Sequence, residues 1–170
     1  MALFDGITQR LVDTPRLTVN VLEREGDDPG TPPERTVVLI HGNVSSSLFW
    51  QELMQDLPGD LRVIAIDLRG FGGSEHAPVD ATRGVRDFSD DVHATLEALG
   101  IPTAHLVGWS MGGGVVMQYA LDHPVLSLTL QSPVSPYGFG GTRRDGSLLT
   151  EDAAGTGGGG ANPDFVQRLA

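Results

Sequence analysis

The segment Leu106-Val107-Gly108-Trp109-Ser110-Met111-Gly112-Gly113-Gly114 limits what this chain can fold into more than any other. An apolar run reads as a buried strand, Gly-x-Ser-x-Gly as a sharp turn, and the residues after it as the start of a helix. Such a turn needs small residues on both sides of the serine, because side chains there would collide as strand passes into helix. It leaves the serine hydroxyl exposed above the carboxyl end of the strand. Ser110 is therefore the candidate nucleophile.

The rest of the pattern alternates strands with helices. Leu17–Leu22 alternates in the manner of a strand. Thr36–Ile40 is a short β-branched run of the kind buried on both faces in parallel sheets. Ser45–Leu57 has helical spacing and is stopped by Pro58-Gly59. Leu61–Ile66 is the next strand, and Thr82–Leu99 the next helix, with Val85, Phe88, Val92, Leu96 and Leu99 on one face and Gly100 as its stop. Ala104–Val107, Met111–Leu121 and Val125–Leu130 continue as strand, helix and strand. The expected fold class is α/β, a mostly parallel sheet flanked by helices.

After Gln131 the pattern changes. Ser132–Ala161 is rich in glycine, serine and proline and ends in the run Gly155-Thr156-Gly157-Gly158-Gly159-Gly160. Asn162 and Pro163 then suit the start of a helix, as N-cap and first helical residue. The expected organisation is a core over residues 1–133 and a glycine-rich insertion over 134–170, with the chain ending in mid-helix as a truncated or cleaved protein would.

Composition removes several functional classes. The absence of cysteine excludes disulfides, thiol catalysis and cysteine-bound metals. The net charge of −11, from 22 acidic and 11 basic residues, disfavours nucleic acid and anionic membrane surfaces as partners. No run resembles a membrane span, and Met1–Gly6 does not resemble a signal peptide. A cytoplasmic location fits this composition. His76, His93 and His105 lack metal-ligand spacing. Asp67–Ser74 lacks the phosphate-loop pattern, so Asp67 and Arg69 read as charges that stabilise a loop near the site.

A serine hydroxyl needs a base to take its proton and donors to hold the oxyanion that forms. The Met111 amide, at the start of the helix after Ser110, is one donor. His41-Gly42-Asn43 follows the strand Thr36–Ile40, and the glycine there allows close approach to Ser110. The Asn43 amide is then the second donor, with His41 and Gly42 as structural support.

His41-Gly42-Asn43, Asp67-Leu68-Arg69-Gly70-Phe71-Gly72-Gly73-Ser74 and Gly108-Trp109-Ser110-Met111-Gly112-Gly113, in that order, resemble the N-terminal part of the α/β-hydrolase fold family. The resemblance spans about Leu17 to Pro133. His-Gly-Asn-x-Ser-Ser-Ser and Trp50 are similar to haloalkane dehalogenases, but that family and the epoxide hydrolases carry aspartate at the turn where this chain has Ser110. Ser-Met-Gly-Gly-Gly is closer to serine esterases, cofactor-free perhydrolases and carbon–carbon bond hydrolases. The resemblance implies a serine hydrolase of a carboxylic ester or lactone, a small-molecule substrate, acting through an acyl-enzyme on Ser110 without cofactor or metal. The other readings are a perhydrolase or carbon–carbon hydrolase with the same serine, and a non-catalytic binding protein that keeps the fold.

The resemblance also implies an acid and then a histidine after the nucleophile. The only later histidine is His123, thirteen residues on, which an intervening helix holds roughly 20 Å from Ser110. Gln131, Ser132 and Pro133 supply no carboxylate after the strand Val125–Leu130. Asp145, Glu151, Asp152 and Asp164 fall in the glycine-rich segment. The expectation is that acid and histidine come from a C-terminal remainder or a second chain, and that the 170-residue chain alone is nearly inactive.

Overall fold

The computed structural model describes residues 2–27, 30–80 and 83–134. The glycine-rich segment, its carboxylates and the helix start at Asn162 lie outside the described residues. Among the described residues six strands form one sheet: β1 (Thr8–Asp13), β2 (Thr18–Arg24), β3 (Thr36–Ile40), β4 (Arg62–Ile66), β5 (His105–Trp109) and β6 (Ser127–Gln131). Their order is β1-β2-β4-β3-β5-β6. β1 with β2 and β2 with β4 are antiparallel, and the rest of the sheet is parallel.

β1 was not apparent from the sequence. Five of its six residues are exposed, and only Val12 turns inward. An edge strand of a hairpin buries too little to show an apolar pattern. The helical spacing over Ser45–Leu57 resolves into a 3-10 turn, Ser47–Trp50, followed by a six-residue helix α1 (Gln51–Asp56). The second helix begins later than its apolar spacing suggests, as α2 (Arg86–Ala98), and the third is α3 (Met111–Asp122).

The period-two alternation of the strands divides the core between the two sheet faces. Val38 and Ile40 of β3 join Val19, Val21, Ile64, Ile66 and Leu106 under α2 and α3, where Phe88, Val92, Leu96, Val115 and Val116 meet them. Val37 and Leu39 point the other way, with Leu22, Val63 and Ala65, against Trp50 and Met54. Val38, Leu39 and Ile40 are wholly buried. Each contributes about 1.5–3 kcal/mol by leaving water, which makes β3 the anchor for the loop that follows it. β3 lies between β4 and β5, so the loops after all three strands emerge side by side. Among the described residues β6 is the edge beyond β5, with Leu130 exposed in it and Leu126 exposed just before it.

Candidate active site

Ser110 joins β5 to α3 with φ 54° and ψ −117°, a conformation that residues with side chains rarely adopt. Its backbone is fastened on both sides. The Ser110 N–H donates to the Gln131 carbonyl at 3.0 Å, and the Ser110 carbonyl accepts from the amides of Gly113 and Val134, each at 3.0 Å. Gly112 allows the turn because a Cβ there would run into the backbone carbonyls of Ile40 and His41. A Cβ at Gly108 would meet the Gly112 carbonyl and Val116. The strained serine is thus wedged between β3 and α3 by the absence of side chains beside it.

The loop after β3 lies directly against this turn. A Cβ at Gly42 would sit 3.0 Å from the Ser110 Cβ and 2.9 Å from the Trp109 ring. Trp109 is covered in turn by Phe49, stacked at 4.4 Å between ring centroids. Asn43 is exposed, and its side-chain oxygen accepts from the Val44 amide at 3.0 Å. The Asn43 N–H donates to no partner among the described residues. Met111 is the first residue of α3, so its N–H has no partner within the helix and carries the positive end of the helix dipole.

The non-glycine residues with positive φ are Val44, Ser110 and Ser132 among the described residues. They follow β3, β5 and β6, three neighbouring strands, at the same end of the sheet. Val44 is the least expected, a β-branched residue at φ 53° that is 89% exposed. No burial offsets its strain. Val44→Gly is expected to raise stability by about 1 kcal/mol, read as a higher urea midpoint at unchanged m-value.

His41 lies wholly buried beneath this loop. Its Nδ1 is 2.7 Å from the Gly42 carbonyl, which can only accept, and its Nε2 is 3.1 Å from the Leu68 amide, which can only donate. The proton is therefore on Nδ1, and neither ring nitrogen is free to act as a base. Burial pushes the imidazole pKa down, against the Gly42 bond and the Asp67 charge, which raise it. The unfolded imidazole takes up a proton near pH ~6.5, before the folded one does. His41 thus contributes stability that is complete above that pH and is lost as pH falls through the folded value. Between pH 7.5 and 5.5 the wild-type urea midpoint should fall more than that of His41→Gln.

Asp67, also buried, sits at the end of β4. One carboxylate oxygen accepts from the Ser47 amide at 2.5 Å, and the other from the Gly73 amide and the Asn20 side chain, each at 2.8 Å. Arg69 points instead towards α2. Its guanidinium holds both carboxylate oxygens of Asp91, at 2.5 and 2.7 Å, and the Pro78 carbonyl. Arg16 and Arg83 complete this cluster around Asp87 and Asp90. Burial raises the Asp87 pKa, but the Asp80 amide and the three guanidiniums outweigh it and hold the carboxyl below its ordinary range.

The other histidines are not at the serine. His123 caps the far end of α3, stacked on His93 of α2 at 3.7 Å. His105 begins β5, the opposite end from Ser110, and contacts Ser127 and the Glu34 carbonyl. His76 is exposed in the loop after Ser74. No histidine is hydrogen-bonded to the Ser110 hydroxyl among the described residues. No cluster of histidine and carboxylate suited to a metal occurs among them either. No described helix is long and apolar enough to cross a membrane.

Residues 35–152 match the model of a family described as alpha/beta hydrolase fold. A fluoroacetate dehalogenase from Burkholderia sp. is 33% identical over 140 residues, covering 79% of this chain and 44% of that protein. A 2-hydroxymuconate semialdehyde hydrolase from Pseudomonas sp. (strain CF600) is 40% identical over 91 residues, covering 52% and 32%. A solved structure of the N-acyl homoserine lactonase AidH, complexed with N-hexanoyl homoserine, superposes with a TM-score of 0.65 at 28% identity, covering 75% of this chain and 46% of that one. The chain spans less than half the length of each of these proteins.

Proposed function

The chain belongs to the α/β-hydrolase fold family, and from that premise we propose that it carries the nucleophile and oxyanion hole of a serine hydrolase acting on a carboxylic ester or lactone. The observation that carries this reading is the backbone of Ser110, held at φ 54° between β5 and α3 with Gly42 packed against it. A merely structural serine has no need of that strain.

In this reading the Ser110 oxygen attacks the carbonyl carbon and its proton passes to a histidine. The carbonyl oxygen becomes an oxyanion, held by the amides of Met111 and Asn43. The alcohol leaves with that proton, and an acyl ester remains on Ser110. Water then attacks the ester, releasing the acid and restoring the hydroxyl. No cofactor or metal enters these steps. His41 is excluded as the base because both its ring nitrogens are engaged. His123 is held at the far end of α3. In this reading the histidine is therefore one that residues 1–170 do not supply.

Serine at position 110 speaks for an acyl-enzyme, although one relative is named a dehalogenase. The likeness to a semialdehyde hydrolase favours, as a second reading, attack by the same serine on a ketone whose neighbouring carbon–carbon bond then breaks. Both readings predict a fluorophosphonate adduct on the peptide that contains Ser110, found by mass spectrometry when the histidine-bearing segment is present. Turnover of p-nitrophenyl esters as against vinylogous diketones separates them. No adduct at Ser110, with that segment present, would leave a non-catalytic binding protein.

A further inference from the structure

We propose that Asn20, in the middle of β2, is a positioning residue that sets the oxyanion loop through Asp67. Asn20 is 2% exposed in a strand whose neighbours Val19 and Val21 are core residues. A buried amide there costs stability unless every polar atom is matched, and here every one is. Its side-chain nitrogen donates to Asp67 at 2.8 Å, and its side-chain oxygen accepts from Gln9 at 2.7 Å. Its backbone amide donates to the Ser74 hydroxyl at 2.8 Å, and its carbonyl accepts from the Asp67 amide at 3.0 Å.

Asp67 spends this fixed orientation on the loop that follows β3. With one oxygen held by Asn20 and Gly73, the other faces the Ser47 amide. The next residue, Leu68, donates its amide to His41. Residues 41 and 47 are therefore both pinned to the same dipeptide, and Gly42–Ser46 spans the gap between the pins. Asn43 lies in that span, with the amide assigned to the oxyanion. A donor in an oxyanion hole works only when it is aimed in advance, and a shift of about 1 Å costs up to 10²-fold in rate. Removing the Asn20 donor leaves that oxygen held by the Gly73 amide alone, so Asp67 is less firmly oriented and the Ser47 end of the span loosens. The effect on catalysis rests on the serine hydrolase reading; the effect on the loop does not.

Asn20→Asp tests this with little change in shape. Two buried carboxylates then face each other, and one takes up a proton at a pH well above the ordinary carboxylate range. Below that transition the protonated Asp group donates to Asp67 as Asn20 does, and above it the pair repels. The Ser47 amide proton, observed by NMR in the 170-residue chain, should keep its wild-type shift and exchange protection at low pH. It should lose both above the transition, while wild type shows no such step. Asn20→Ala, checked for folding by circular dichroism, should show the loss at every pH. In the protein supplied with its histidine, kcat should fall about tenfold above the transition with KM unchanged. A Ser47 amide indifferent to pH in Asn20→Asp would overturn the proposal, as would a moved amide with unchanged kcat. If Ser110→Ala retained turnover, the hydrolase reading would fail while the NMR result still decided the role of Asn20 in the loop.

Discussion

Ser110→Ala is expected to lower ester turnover by a factor on the order of 10⁴ or more in the protein supplied with its histidine and acid. The whole effect is chemical. Alanine keeps the Cβ and hence the strain at φ 54°, and it keeps the backbone bonds to Gln131, Gly113 and Val134. The thermal midpoint should therefore stay close to wild type, while kcat and fluorophosphonate labelling disappear together. On the proposed reading, any rate that remains is the part that the Met111 and Asn43 amides would supply without a nucleophile. Steady-state kinetics and a thermal melt on the same preparation make the comparison. Undiminished kcat would remove Ser110 from the reaction.

The second large effect concerns the space around the serine. Gly112→Ala should destabilise the fold by about 2–3 kcal/mol, roughly 5–10 °C in Tm. In an exposed helix the same change is favourable by about 1 kcal/mol. Here the added methyl meets the backbone carbonyls of Ile40, the last residue of β3, and of His41, the residue after it, and neither can rotate aside as a side chain would. Either α3 lifts from the sheet or β3 shifts, and both movements disturb the approach of Gly42 to Ser110. Gly114→Ala is the control, because its methyl would meet only a side-chain carbon of Val134, at 2.6 Å. That side chain can turn away, so much of the helical gain is kept. Thermal melts of the two variants should diverge, and equal midpoints would mean that the packing of α3 on β3 is not tight.

Much of this was legible in the sequence. β3 and β4 are continuous apolar runs because both their faces are covered, and such runs stand out in a chain. The glycines at 108 and 112 announce a tight turn because they stand between an apolar strand and the start of a helix. β1 stayed hidden because an edge strand with one inward residue has no pattern to read. Asn20 stayed hidden for a different reason. In an alternating strand a polar residue reads as the solvent side, and only the approach of Asp67 from β4 shows it to be buried. The pairing of Arg69 with Asp91, 22 residues on, likewise depends on how α2 lies against the sheet.

The sequence by itself determined the alternation of strands and helices, the turn at Ser110 and the want of a well-placed histidine after it. These are local properties, set by apolar period, by glycine, and by the length of a helix that holds His123 from the serine. The tertiary structure decided what the loops do to one another. It brought Gly42 against Ser110, engaged both nitrogens of His41, and joined Asn20, Asp67 and Ser47 across residues far apart in the chain. Those contacts follow from strand order, which places β3 between β4 and β5, and order in a sheet is a property of the packed core rather than of any one segment.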